Sequence, residues 1–404
     1  MGECNTTDCE RAGDVRREPF GGLRVDQAIR GINEPEVNAW LADHIPDLRL
    51  PLDVELIAGG HSNLTYSLTE SAPTDATSTD ATSTDASTSE ASPRRWVLRR
   101  PPLGQVLATA HDMGREFRII SALADSEVPV PSVVGLSPDD SVNGAPFYVM
   151  DFVDGQVIRS AEQASQLSAE TRRRTGESLI EVLGAIHAVD VDAVGLGDLA
   201  KKEDYIARQL KRWYSQFSKS ESQVEGGLGL PAVHEAHDAL VAAIPEQSEA
   251  TIVHGDYRLD NSMIDPEGNL VAVLDWEICT LGDPRADVGM LWVYWTDPGE
   301  IAVMPQASPT SLDGFPSRQE LMELYESSTG RDLSDLPYFV AFGYWKLTCI
   351  IAGVYARYAG GSMGDVPEAT VAGFRQMLDA IAHATTIAVS QIGSDWRTLA
   401  GATS

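Results

Sequence analysis

Apolar residues follow two regimes along this chain. Before about residue 150 they come in short runs bounded by Gly, Pro, Asp and Ser, the pattern of strands. Residues 54–57, 64–68, 96–99, 133–136 and 147–150 read this way. Two helices interrupt the series. Residues 26–41 place Ala28, Ile29, Ile32, Val37, Trp40 and Leu41 at helical spacing, with a break expected near Pro35, and residues 115–123 form the second. Beyond 150 the helical period dominates. Residues 171–187 carry Leu179, Ile180, Val182, Leu183 and Ile186 on one face. Further helices are predicted at 205–217, from 281–287 onward, from Pro337 onward and from 368 to about 392. The expected fold class is α+β: a small N-terminal lobe built on an antiparallel sheet and a larger, mainly helical C-terminal lobe.

Three segments need separate treatment. Residues 1–22 are polar and are expected to be a disordered tail. Residues 70–93 are of low complexity, with Thr-Asp-Ala-Thr-Ser at Thr74 and again at Thr79, and hold almost nothing that could form a core. Residues 338–358 are apolar enough to suggest a membrane span, but Lys346 and Arg357 interrupt them, so a buried helix is expected. The boundaries are therefore 23–150 for the first lobe, with 70–93 inserted, and 151–404 for the second.

The 404 residues carry 60 acidic and 30 basic side chains, a formal net charge of -30. Such a surface repels nucleic acid and anionic membranes, so neither is an expected partner. An anionic nucleotide needs a local basic pocket or a metal ion. Cys279 and Cys349 lie in apolar surroundings, and no Cys/His set has zinc spacing. Residues 1–30 show no signal-peptide pattern, so the expected compartment is the cytoplasm.

The chemistry concentrates in His254-Gly255-Asp256-Tyr257-Arg258-Leu259-Asp260-Asn261 and in Asp275-Trp276-Glu277, which follows the apolar run 270–274. Asp256 can accept a proton from an attacking hydroxyl. Asn261, five residues on, and Asp275, at a strand end, can hold Mg²⁺ between phosphate oxygens. Arg258 can contact a phosphate or an anionic acceptor, or pair with an acid. Upstream, Gly59-Gly60-His61-Ser62-Asn63 lies between two strands, where exposed N–H groups can face phosphates.

In that order these motifs resemble the catalytic and metal-binding loops of the aminoglycoside-phosphotransferase-like kinases, a protein-kinase-like two-lobe family. The resemblance implies ATP and Mg²⁺ as cofactors, Asp256 and Arg258 as catalytic residues, and Asn261 and Asp275 as metal ligands. It implies that Gly59, Gly60, Ser62 and Asn63 cover the phosphates, that Arg99 stands in the place of the strand lysine, and that Glu116 pairs with it. Asp151, Phe152 and Val153 match the hinge that meets adenine, and Asp287 matches a carboxylate that braces the catalytic loop. His187 reads as a helix terminus. Val97-Leu98-Arg99-Arg100-Pro101-Pro102, the 183–190 helix end and Gly282-Asp283-Pro284 resemble the kinase domains fused to certain acyl-CoA dehydrogenases. That branch implies a small acceptor with a hydroxyl group, such as a hydroxyacyl-CoA or hydroxy acid. No dehydrogenase domain is expected before Ser404, and a separate acyl-CoA dehydrogenase is an expected pathway partner. An antibiotic kinase of the same fold and a nucleotide-binding scaffold without turnover are the alternatives.

Overall fold

The structure is a computed structural model that describes residues 29–58, 63–71, 93–103, 112–300, 308–361 and 366–399. Helix α1 (Glu34–His44) is followed by strands β1 (Leu52–Ala58), β2 (Leu64–Glu70) and β3 (Arg95–Arg100), helix α2 (Met113–Leu123), and strands β4 (Val133–Ser137) and β5 (Phe147–Asp151). The five strands form one antiparallel sheet in the order β1-β2-β3-β5-β4.

The sheet shows how strand alternation assigns residues to two cores. Leu98, Phe147 and Val149 point to one face, against Val37 and Leu41 of α1. Val97, Tyr148 and Met150, one position out of phase, point to the other. There they join Met113, Ile119, Ile120 and Leu123 of α2, and through them the core of the helical lobe. The lobes therefore share a continuous apolar core behind the cleft.

Helices α3 (Ala161–Ser165), α4 (Ala169–Ala188), α5 (Tyr205–Ser222) and α6 (Pro231–Ala242) begin the second lobe. Two small strand pairs then build its edge toward the cleft. Strand β6 (Thr251–Val253) pairs with β9 (Thr280–Gly282), and β7 (Ser262–Ile264) with β8 (Leu270–Val273). Helices α7 (Arg285–Tyr294), α8 (Arg318–Thr329), α9 (Leu336–Ala359) and α10 (Glu368–Ser390) complete it. Helix α9 is long and apolar enough to cross a bilayer, yet most of it is buried among α5, α7 and α10, as expected of a core helix. Cys279 and Cys349 are buried free thiols.

Some sequence expectations need correction. Residues 29–33, expected to open a helix running to Leu41, are not helical; the helix begins at Glu34, with Pro35 in its first turn, where a missing N–H costs nothing. The 281–287 helix starts at Arg285, because Leu281 and Gly282 belong to β9. Helix α5 runs to Ser222 rather than stopping at Phe217. The 1–22 tail, Gly59, Gly60 and Ser62, and most of the 70–93 insertion lie outside the described residues. At the insertion's base, Glu70 N–H donates to Arg94 O at 3.0 Å, and Arg49 and Arg94 both pair with the buried Glu70 carboxylate, at 2.7 and 2.6 Å.

Candidate active site

The loop between β6 and β7 is held from behind. Asp287, buried in the first turn of α7, accepts from the N–H groups of His254 at 2.7 Å and Gly255 at 2.8 Å. Burial works to raise its pKa, but His187, His254 and the Gly255 N–H outweigh it and hold the carboxyl below its ordinary value. His187 Nδ1 lies 2.7 Å from Tyr325 Oη and its Nε2 lies 3.5 Å from Asp287, so His187 supports the brace, in keeping with a structural role. His254 Nε2 lies 2.9 Å from Leu274 O, which ties this loop to the strand that leads to Asp275.

On this frame the loop presents its acids. Asn261 Nδ2 donates to Asp256 Oδ2 at 2.8 Å and to Asp256 O at 2.9 Å. Asn261 Oδ1 accepts no hydrogen bond among the described residues, so the side chain holds the base candidate with one end and leaves an oxygen free at the other. Leu274 N–H donates to Asn261 O at 2.8 Å and brings Asp275 alongside. Asp275 has φ +64° and ψ +60°, a left-handed conformation that a non-glycine residue adopts at a cost.

Arg258 does not extend freely toward a ligand. Its Nε lies 3.3 Å from Asp256 Oδ2 and 3.0 Å from Asp260 Oδ1, and its guanidinium stacks 4.8 Å from the Tyr294 ring centroid. The arginine therefore neutralises two acids of its own loop.

Across the cleft, Arg99 on β3 donates from Nη2 to Asp275 Oδ1 at 2.9 Å, and its Nε lies 3.1 Å from Glu116 Oε2 on α2. Burial opposes the Arg99 charge, but Glu116, Tyr148, Asp275 and Glu277 more than offset it and raise the pKa. Burial, reinforced by Asp275, raises the Glu116 pKa despite Arg99. Glu277 is pushed up to about 7 by burial and by the neighbouring Asp275 charge. Helix α2 is also tied to the second lobe, since Arg115 donates to Leu199 O at 3.1 Å and to Cys279 O at 2.9 Å.

Between the lobes lies a cleft of about 360 Å³. Val97, Met150, Met263 and Leu274 give it an apolar slot, with Arg99, Asn261 and Asp275 at one end and Asp151, Phe152 and Val153 at another. Asn63 lines it too: 2% exposed, with neither side-chain amide atom partnered among the described residues. A buried amide in that condition is poised for a polar ligand. At the hinge, Asp151 N–H donates to Ser132 O (2.8 Å) and Phe152 N–H to Arg95 O (3.2 Å). The expectation that all three hinge residues offer backbone groups is thus narrowed: among the described residues, the Val153 N–H is the donor left over. Val97, Met263 and Leu274 were not foreseen as cleft residues; their signal was their position one or two residues from a foreseen one, Arg99, Asn261 or Asp275.

The donor set fits a magnesium ion that arrives with a nucleotide. One carboxylate, one amide oxygen and phosphate oxygens make up such a site, and no closed cage of three or more His, Cys, Asp or Glu side chains exists among the described residues. The crowding that raises Glu277 shows an excess of negative charge, and the Arg99 cation currently offsets part of it.

Comparison with known proteins places these features in context. The model of the family described as "Phosphotransferase enzyme family" matches residues 53–321. The chain is 36% identical over 273 residues to acyl-CoA dehydrogenase family member 10 of Mus musculus, covering 66% of this chain and 25% of that one. It spans about a quarter to two fifths of the length of the curated relatives it matches. A crystal structure from Ralstonia eutropha, assigned as an aminoglycoside phosphotransferase, is 30% identical with TM-score 0.69, covering 89% of this chain and 99% of that one. A thermostable mutant of an aminoglycoside phosphotransferase, in ternary complex with AMP-PNP and hygromycin B, shares the fold at 16% identity and TM-score 0.51, covering 86% of this chain and 98% of that one.

Proposed function

This chain belongs to the phosphotransferase enzyme family, and from that premise we propose that it transfers the γ-phosphate of ATP to a hydroxyl group of a small metabolite. The observation that carries the reading is the meeting of Arg99, Asn261 and Asp275 at one end of a single cleft, with Asp256 bonded to Asn261 and Glu116 paired to Arg99. The fold neighbour that holds AMP-PNP beside hygromycin B supports a nucleotide and a second small molecule as the two substrates.

The adenine ring occupies the slot between Val97 and Met263, with the Val153 N–H as donor. The phosphates extend toward Asn63 and Arg99. Asn261 Oδ1 and Asp275 would hold Mg²⁺, which neutralises phosphate oxygens when bound. Asp256 accepts the hydrogen bond of the acceptor hydroxyl. The acceptor oxygen bonds to the γ-phosphorus as the bond from that phosphorus to the β,γ-bridging oxygen breaks. The proton passes to Asp256, late in a transition state with little bonding to either oxygen. Asn261 and Arg258 keep the carboxylate aimed. Arg99 stabilises charge on the departing diphosphate.

For the acceptor we favour a hydroxyacyl-CoA or hydroxy acid, because the curated relatives are named as acyl-CoA dehydrogenase family members. A separate dehydrogenase partner rests on those names alone and enters no step. The Ralstonia relative's assigned name keeps an aminoglycoside acceptor as the second reading. The buried thiols of Cys279 and Cys349 are in keeping with a reducing, cytoplasmic setting.

An assay of γ-phosphate transfer from MgATP to a panel of hydroxyacyl-CoAs, hydroxy acids, aminoglycosides and macrolides tests this. Transfer to a hydroxyacyl-CoA or hydroxy acid supports the favoured acceptor, and transfer to an antibiotic replaces it. ATP binding without transfer to any of them supports a scaffold instead.

A further inference from the structure

Lys346 sits in the middle of α9, a helix apolar enough to cross a membrane, and is 3% exposed. Burial holds its pKa below the ordinary lysine value, against the pull of Asp256 and Asp287. An ammonium in such a place is costly unless it is paired and hydrogen-bonded. Its Nζ donates to Gly255 O at 2.7 Å and lies 5.6 Å from the centroid of the Trp213 ring on α5.

The residue it grips is the one that sets the direction of Asp256. Gly255 has φ +86°, and a Cβ there would lie 3.1 Å from the Ile278 side chain, so the position requires glycine. That requirement has a consequence. A glycine leaves the peptide on its C-terminal side free to rotate, and that peptide carries Asp256. The peptide before Gly255 is fixed through its N–H by Asp287 at 2.8 Å. The peptide after it is fixed through its carbonyl by Lys346. The Asp256 N–H, in the same peptide plane, then points to His254 Nδ1 at 3.3 Å.

We propose that Lys346 is a positioning residue for phosphoryl transfer: it removes the rotational freedom of the Gly255–Asp256 peptide and so aims the Asp256 carboxylate at the acceptor hydroxyl. This rests on the reading of Asp256 as the base. Lysine suits the task because its stem crosses from a core helix through apolar packing, against Trp213, and delivers a donor at the far end. Its charge also offsets the acids gathered around the loop.

The test uses the full chain and two readouts. In Lys346→Met, which keeps the stem and removes the donor, kcat falls about 100-fold while KM for MgATP stays within about twofold. Amide hydrogen exchange over 254–261 accelerates about tenfold, with β5 and α4 unchanged. Lys346→Arg, which retains a donor, recovers about a tenth or more of the wild-type kcat. If Lys346→Met does not fold, Lys346→Leu, which also lacks a donor, carries the same two predictions. A folded Lys346→Met protein with wild-type kcat, or with unchanged exchange at 254–261, overturns the proposal. So does exchange that accelerates equally through α7 and α9, the mark of a general packing defect. Asp256→Ala in the same assay separates the two readings. Turnover that survives there overturns the base assignment, while the exchange result still judges the restraint by Lys346.

Discussion

Arg99 Nη2 lies 2.9 Å from Asp275 Oδ1, so a cation from the first lobe rests on the carboxylate expected to take the metal. The same side chain faces Glu116 across 3.1 Å. One arginine thus joins sheet, helix α2 and metal loop. A lysine, with a single point of charge, cannot serve both acids through separate nitrogens. On the proposed reading, Mg²⁺ would compete with Arg99 for the Asp275 carboxylate.

Arg99 is therefore predicted to tolerate lysine better than a neutral residue. Arg99→Lys retains nucleotide binding within about tenfold, whereas Arg99→Met strands the buried Glu116 and destabilises the fold by about 3 kcal/mol. Equilibrium unfolding and nucleotide titration of the two variants check this. Equal stability of Arg99→Met and wild type would show that the pair is not structurally coupled.

On the proposed reading, Asn261 has two tasks, one for each end of its amide: Nδ2 holds Asp256 and Oδ1 would meet the metal. Asn261→Leu frees the Asp256 carboxylate and removes the metal oxygen, so the Mg²⁺ concentration for half-maximal turnover rises about tenfold and kcat falls by about 100-fold. A magnesium titration of turnover reads both. A fall in kcat with an unaltered magnesium dependence contradicts the ligand role.

Asp287 holds two adjacent buried N–H groups, those of His254 and Gly255. Asp287→Ala leaves both without an acceptor and costs about 2 kcal/mol or more of stability. It lowers kcat as well, since the catalytic loop loses its anchor. Thermal unfolding and turnover are measured together. A stable protein with wild-type turnover contradicts the brace.

Glu70 carries the clearest pH signature. Hydrogen bonding from Arg94, reinforced by Arg49 against the cost of burial, holds its carboxyl at about 2. Its folded-state pKa lies below the unfolded value, which is near the ordinary glutamate value of 4.5. The stabilisation is present above that value and is lost as pH falls from there toward about 2. Glu70→Gln removes this slope, so wild type and variant, unequal in stability at pH 7, converge in acid. Urea unfolding across that window measures it, and parallel curves would contradict the assignment. The same clamp closes the hairpin beneath the low-complexity insertion. Replacing residues 73–91 with a short turn therefore changes stability by no more than about 1 kcal/mol.

The sheet and the catalytic loop were legible because their residues carry local signals. Strands 96–99 and 147–150 are short apolar runs, and Asp256, Asn261 and Asp275 are polar residues at fixed spacing beside apolar ones. The structure brings these three together with Arg99 and Glu116 as expected. Strands β6, β7 and β9 were not legible, since three residues each are too few to show a period. Helix α6 was missed because Pro231 opens a short stretch rich in Ala and His, with Val233, Ala236 and Leu240 as its buried positions. The residues expected as the hinge, Asp151 to Val153, do line the cleft, but no local pattern could show that Arg95 of β3 and Ser132 take up two of their N–H groups. Lys346 read merely as a charge interrupting an apolar run. Its partner, Gly255, is 91 positions away, a contact that no local pattern encodes.

The most direct test of the central claim is γ-phosphate transfer from MgATP to the hydroxyl-bearing acceptor panel, run beside Asp256→Ala. The account predicts transfer by the wild type, a loss of most turnover in the variant, and nucleotide affinity largely intact in both. Near-normal turnover by Asp256→Ala would contradict it.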